Sequence, residues 1–278
     1  MNDLLQGIKG HISKYSYYTE GHNVFLNQQN EQINKCFCNW MENFVDGNYN
    51  LRMYTLNYDR MFKVLLQNNQ FDVFEGFELT GSAVGYSKRI PPNLPRIISD
   101  FDSHIHYNLH GCAYWKIEGH NCNGLPGYQY FLNPFPDVNR FAATIEIEKG
   151  RKLLLTNIIT GFQKVQRTAI SPFRQMLSAF DRDCFDAEKL YIIGYSLGDE
   201  HINDIIRNSR KYNTQLEIVL INPIFDKEKF MIDFLLHWGS TSYMNNNKEG
   251  EYETVFPKFK VRIVQKKFGD FLNELNLT

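Results

Sequence analysis

Apolar positions recur at two different spacings along the chain, and the switches between them mark the expected elements. Between about residues 24 and 45, Ile33, Phe37, Trp40, Met41 and Phe44 lie three and four apart, which predicts an amphipathic helix with one buried face. Residues 51–56 (LRMYTL) are short, apolar-rich and include Tyr and Thr, so a strand follows; Asn57-Tyr58-Asp59 then opens a second helix carrying Phe62, Leu65 and Leu66. Over 71–100 the pattern breaks. Thr80-Gly81-Ser82 and Gly85 are turn-like and Pro91, Pro92 and Pro95 exclude a regular element, so a long loop or small insertion is expected. A strand over 104–109 should end in His110-Gly111, with residues 113–118 returning beside it as a hairpin.

The second half is more regular. Residues 153–159 are apolar and bounded by Thr160-Gly161, and Ser171-Pro172 marks the start of a helix with Phe173, Met176, Leu177 and Phe180 on one face. Buried-strand patterns over 189–194 and 216–222 alternate with helical patterns over 199–210 and 226–238. This βαβα order predicts an α/β fold: a Rossmann-like parallel sheet with helices on both faces. Ligands on such sheets bind beyond the carboxyl ends of the strands.

Composition narrows the classes. A chain of 278 residues with 43% hydrophobic and 22% charged residues has globular usage, which excludes disorder and fibrous repeats. Lys and Arg total 30 against 31 Asp and Glu, a net charge of -1, so the basic excess of a nucleic-acid binder is absent and no direct nucleic-acid binding is expected. No run approaches the roughly 18 apolar residues that span a bilayer, and the first ten residues lack the order of a secretory signal, so no membrane contact and a cytoplasmic location are expected. Five cysteines, an odd number, fit a reducing compartment. The 15% aromatic content reads as core packing rather than a base-stacking surface.

Polar residues at the predicted strand ends are what a purely structural strand does not require. They are Thr55-Leu56-Asn57-Tyr58-Asp59, Leu109-His110-Gly111, Gly194-Tyr195-Ser196-Leu197-Gly198-Asp199 and Ile221-Asn222-Pro223. On one open sheet they would place an amide, an imidazole and a helix N-terminus around one ligand. Their order, together with Thr160-Gly161-Phe162-Gln163-Lys164 ahead of the Ser171-Pro172 helix, resembles the bacterial SIR2-like family, distant relatives of the sirtuins, many of which hydrolyse NAD in anti-phage defence. The resemblance covers roughly residues 51–225.

That resemblance implies a sirtuin-type NAD-binding fold in a single domain over 1–278: a helical segment over 1–50, a motif-bearing core over 51–225, and a helix, loop, strand and helix over 226–278. It implies NAD+ glycohydrolase activity, with NAD as substrate or ligand and a homo-oligomer or a partner defence protein as context. Asn57 matches the asparagine beside the nicotinamide ribosyl bond, positioning nicotinamide or the attacking water, and His110 matches the catalytic histidine. Gly194 and Ser196 match the loop that contacts ribose and phosphates, and Asn222 the asparagine that holds the adenosine ribose. Thr55, Asp59, Gly111 and Asp199 complete the implied cofactor-binding set. These residue types suit the reaction. Cleavage of the N-glycosidic bond passes through an oxocarbenium-like state, and a histidine with a pKa of about 6.5 can act as base towards a ribose hydroxyl or water.

Two features depart from the family pattern. Residues 1–50 contain no strand leading into a Gly-Ala-Gly turn, so the first βα unit is expected to be missing or supplied by another chain. The two Cys-x-x-Cys pairs of a sirtuin zinc ribbon are also absent, and Cys36-Phe37-Cys38 has the wrong spacing, so protein deacylation is disfavoured and no metal is expected. Other readings stand beside these. Asp59 and Asp199 fit simple helix caps, and His110 alone fits a strand-end core histidine. His104, His106 and His110 share one strand parity near Cys112, His120 and Cys122, which admits a metal site. The Gly81–Gly85 stretch admits a phosphate contact. At the level of function, the alternatives are a module that binds NAD or ADP-ribose without turnover, and a phage-defence protein of the AbiH type.

Overall fold

The computed structural model describes residues 7–8, 10–12, 16–18, 24–26, 31–78, 90–122, 125–133, 143–160, 164–223, 248–250, 252–257 and 260–275. Its contacts divide the chain into two compact units, Met1–Ala179 and Phe180–Thr278.

In the first unit a short antiparallel hairpin joins β1 (Ser16–Tyr18) to β2 (Val24–Leu26). Helix α1 (Glu31–Asp46) therefore starts later than residue 24, because the backbone at 24–26 is spent on strand pairing; its apolar stripe buries Cys36, Phe37, Cys38, Trp40 and Met41. Next come β3 (Arg52–Thr55), α2 (Met61–Asn68), β4 (Val73–Phe74), α3 (Leu94–Ser99) and β5 (His104–Asn108). The strands form a three-stranded parallel sheet in the order β3-β5-β4, with Thr55 opposite Asn108.

Residues 71–100 are thus more regular than their prolines predict. Helix α3 is capped by the Asn93 side chain, which accepts from Arg96 N at 3.1 Å, and Pro95 sits in the first helical turn, where its missing N–H leaves no bond unmade. The Gly81–Gly85 stretch lies outside the described residues.

After β5 the chain does not return beside it. Strand β6 (Trp115–Cys122) instead pairs antiparallel with β7 (Leu125–Leu132), and β8 (Ala143–Glu148) pairs with β9 (Arg151–Leu155). The cause is local: Gly111 bridges to Ile158, so the backbone leaves the sheet before a hairpin can form against β5. Helix α4 (Lys164–Thr168) leads to α5 (Phe173–Asp186), which begins directly after Ser171-Pro172. Trp115 is 1% exposed and packs against Phe77, Tyr130 and Phe173, with centroids 5.1 to 6.1 Å apart, so the base of the hairpin and α5 share one aromatic core.

The second unit holds β10 (Lys189–Ile193), α6 (Glu200–Tyr212), β11 (Glu217–Ile221), β12 (Lys248–Glu249), β13 (Glu253–Phe256), β14 (Val261–Val264) and α7 (Phe268–Leu275). The sheet order is β10-β11-β14-β13-β12. Strands β10, β11 and β14 pair in parallel, and β13 pairs antiparallel with both β14 and β12, so the sheet is mixed rather than wholly parallel. Strand β11 lies between β10 and β14 and is buried from Ile218 to Ile221, as its unbroken apolar run predicts. The helix expected over 226–238 lies outside the described residues. The architecture is a mixed α/β fold with parallel strands in both units. Among the described residues no helix is long and apolar enough to cross a membrane.

Candidate functional site

The first unit places Thr55, Asn57, Asp59, His110 and Gly111 at the carboxyl ends of β3 and β5, which are hydrogen-bonded neighbours. Polar bonds shape the turn after β3. Thr55 Oγ1 accepts from Asn57 N at 3.0 Å, and Asp59 Oδ1 accepts from Met61 N at 2.9 Å, so the short side chains replace main-chain partners that the bend leaves unpaired. Tyr58 Oη donates to Ile159 O at 3.0 Å, while Tyr58 O accepts from Ala113 N at 2.8 Å. Asn108 is 3% exposed, and its Nδ2 donates to Asn57 O at 3.0 Å and Asp59 O at 2.8 Å. With its backbone held on several sides, the Asn57 side chain is left exposed.

The turn after β5 is tighter. Leu109 N donates to Thr55 O at 2.9 Å, Gly111 N to Asn108 O at 3.1 Å, Cys112 N to Asn157 O at 3.0 Å and Ile159 N to His110 O at 2.7 Å. Gly111 has φ +85°, and a Cβ there would lie 2.2 Å from Asn157 O, so only glycine lets the 157–159 backbone close over this turn. His110 is 2% exposed. Asn157, also 2% exposed, donates Nδ2 to Trp115 O at 3.0 Å and ties that closing segment to β6.

Beside the first turn lies a buried charged group. Arg60 grips Glu75 through two bonds of 2.7 and 2.5 Å, and Lys63 Nζ reaches Glu75 at 3.1 Å. Burial alone would raise the Glu75 carboxyl, but Arg60 and Lys63 outweigh it and hold the pKa at about 2. The bidentate pair anchors the residue before α2 to the end of β4. Asp59 has no such charged partner among the described residues, and burial raises its carboxyl despite the hydrogen bond from Met61.

The histidines of β5 differ in their surroundings. His104 Nδ1 accepts from Leu51 N at 3.2 Å, which is a structural role. His106 is 1% exposed, its ring nitrogens have no hydrogen-bond partner among the described residues, and burial, opposed by Glu75 and aided by Arg60 and Lys63, pushes it down to about 4. Among the described residues of this unit, no three histidine, cysteine or carboxylate side chains lie close enough to hold a metal ion. The side chains of His120 and Cys122 lie outside the described set.

The second unit places Gly194, Ser196, Asp199 and Asn222 after β10 and β11. Gly194 takes φ +63° and donates its N–H to Ile221 O at 2.9 Å, turning the chain off the end of β10. Asn222 Nδ2 donates to Tyr195 O at 2.9 Å. The Tyr195 hydroxyl lies 3.0 Å from Asp199 O and 2.9 Å from Asn203 Oδ1, either of which can take its proton, and accepts from Asp199 N at 3.1 Å. Asn203 is fully buried and donates Nδ2 to Leu197 O at 2.8 Å, holding Leu197 at φ +59°. This frame leaves Gly194, Ser196 and Gly198 exposed ahead of α6. Asp199 occupies the N-cap position, yet its carboxylate makes no capping bond.

Of the residues singled out from the sequence, Thr55, Asp59 and Asn222 carry loop-shaping bonds, Gly111 and Gly194 supply positive φ, Asn57 and Ser196 are exposed, and His110 is buried. Sequence reasoning missed Asn108, Tyr195 and Asn203. No signal in the sequence singles out the two asparagines: β5 already carries His104 and His106 beside Asn108, and Asn203 lies on a helix that is mostly polar. In comparisons with known proteins, the sequence matches no protein-family model and no curated protein.

Proposed function

We propose that this chain is an NAD+ glycohydrolase of the SIR2-like type, with a sirtuin-type arrangement of its α/β fold, acting in bacterial anti-phage defence. The observation that carries the reading is the placement of Asn57 and His110 on turns that leave the carboxyl ends of two paired parallel strands, with Asn108 bonded to the first turn. An exposed amide and a buried imidazole on turns after two neighbouring strands suit a reaction that holds a carboxamide, limits water and moves one proton. In this reading Asn57 orients the nicotinamide carboxamide or the attacking water, and His110 takes the proton from a ribose hydroxyl or from water. In the second unit, taken by itself, the loop around Gly194 and Ser196 that the resemblance assigns to ribose and phosphates is exposed.

Incubation of the full chain with NAD+, followed by chromatography for nicotinamide, tests the reading. Asn57→Ala should abolish release while shifting stability by less than about 0.5 kcal/mol, as expected for an exposed side chain. His110→Ala should also abolish release, with circular dichroism confirming the fold. Release retained in both variants rejects the assignment. The 2% exposure of His110 favours a second reading, a module that binds NAD+ or ADP-ribose without turnover. Calorimetric binding with no nicotinamide formed would select it.

A further inference from the structure

We propose that Asn108 is the positioning residue that sets the Asn57 turn and the His110 turn in one geometry; the inference rests on the glycohydrolase reading above. Asn108 is the last residue of β5 and is 3% exposed. Its side chain and main chain act in opposite directions. The amide group spends both hydrogens on the neighbouring turn, at 3.0 Å to Asn57 O and 2.8 Å to Asp59 O. Its own carbonyl accepts from Gly111 N at 3.1 Å and so closes the turn that carries His110.

One residue therefore bonds to both turns. Its register partner Thr55 reinforces the link, since Thr55 O accepts from Leu109 N and Thr55 Oγ1 accepts from Asn57 N. A displacement of Asn108 moves the exposed amide relative to the buried imidazole, and misplacement of about 1 Å can cost on the order of 100-fold in rate.

The chemistry of the position makes the idea testable. Two carbonyl oxygens converge on one amide nitrogen, and aspartate has the same shape with oxygen in place of that nitrogen. Asn108→Asp thus conserves volume while turning two attractions into two repulsions. Asn108→Ser, smaller and uncharged, gives a second variant should the first fail to fold.

Three measurements on the full chain separate the outcomes. Hydrogen exchange of the amides over 57–61 should rise about tenfold or more in Asn108→Asp while the amides of β10 and β11 keep their protection. The kcat for nicotinamide release should fall about 100-fold, with the Kd for ADP-ribose within about threefold of wild type, because a positioning fault is felt in the reaction rather than in uniform binding. Unchanged exchange over 57–61, unchanged kcat, or equal losses in kcat and in ADP-ribose affinity each overturn the proposal. A wild-type chain that releases no nicotinamide overturns the glycohydrolase reading and the catalytic half of this inference, while the exchange data still decide whether Asn108 holds the turn.

Discussion

Replacing His106 with leucine should remove an acid sensitivity built into the first unit. The imidazole is 1% exposed, and its pKa is pushed down from 6.5 to about 4, chiefly by burial. The folded state therefore resists a proton that the unfolded state accepts. Stability is complete above the unfolded pKa of 6.5 and is lost as pH falls towards 4. Binding algebra with these two values gives a loss of about 2 kcal/mol between pH 7.5 and 5, tending to about 3 kcal/mol below pH 4. Glu75 does not confuse this window: its folded pKa of about 2 lies below the ordinary 4.5, so its contribution is present above 4.5 and is lost only as pH falls towards 2. Neither ring nitrogen of His106 has a hydrogen-bond partner among the described residues, so leucine sacrifices no bond there and should cost under about 1.5 kcal/mol at pH 7.5. Urea unfolding followed by tryptophan fluorescence in a Trp238→Phe background, which leaves Trp40 and Trp115, both buried in the first unit, reads the effect. His104, Asp59 and Asp181 titrate alike in both proteins, so the difference between wild type and His106→Leu isolates the one imidazole. A variant as acid-sensitive as wild type, or a wild type whose stability is flat from pH 7.5 to 5, would refute the reasoning.

Two further outcomes follow from the strand-end turns. Gly111→Ala forces a side chain into positive φ and to 2.2 Å from Asn157 O, so it should cost about 3 kcal/mol or more and lower the thermal midpoint by several degrees; an unchanged melting curve would show that the 157–159 segment can back away. Tyr195→Phe removes the hydroxyl that links Asp199 and Asn203, and should destabilise by about 1 to 3 kcal/mol while raising amide exchange over 195–199; exchange equal to wild type would mean Asn203 and Asn222 suffice to hold the loop.

The sequence was most legible where burial imposes a period. The stripe of Phe37, Trp40 and Met41 and the run of Ile218 to Ile221 became α1 and β11 because a single apolar face or a fully covered strand leaves little alternative. Legibility failed where tertiary pairing captures a short segment. Residues 24–26 joined a hairpin, and β6 turned to β7 because Gly111 had already committed the backbone to Ile158. Pro95 defeats the pattern for a simpler reason: in the first turn of a helix a proline breaks nothing. For the candidate site, the strand-end positions of Asn57, His110, Gly194 and Asn222 were readable, since they follow from where strands stop. The residues that shape those ends were not. Asn108 and Asn203 act through side-chain bonds to distant carbonyls, and nothing in a linear pattern says which carbonyl a buried amide will meet.

The strand-end loops of both units are braced by the same functional group: Asn108, Asn157, Asn203 and Asn222 each donate a side-chain amide hydrogen to a backbone carbonyl. A carboxamide neither ionises nor attracts counterions, so these four struts are indifferent to proton concentration and to ionic strength. The frame that presents Asn57 and Ser196 to solvent thus keeps its shape across salt conditions that would weaken a frame built from exposed ion pairs.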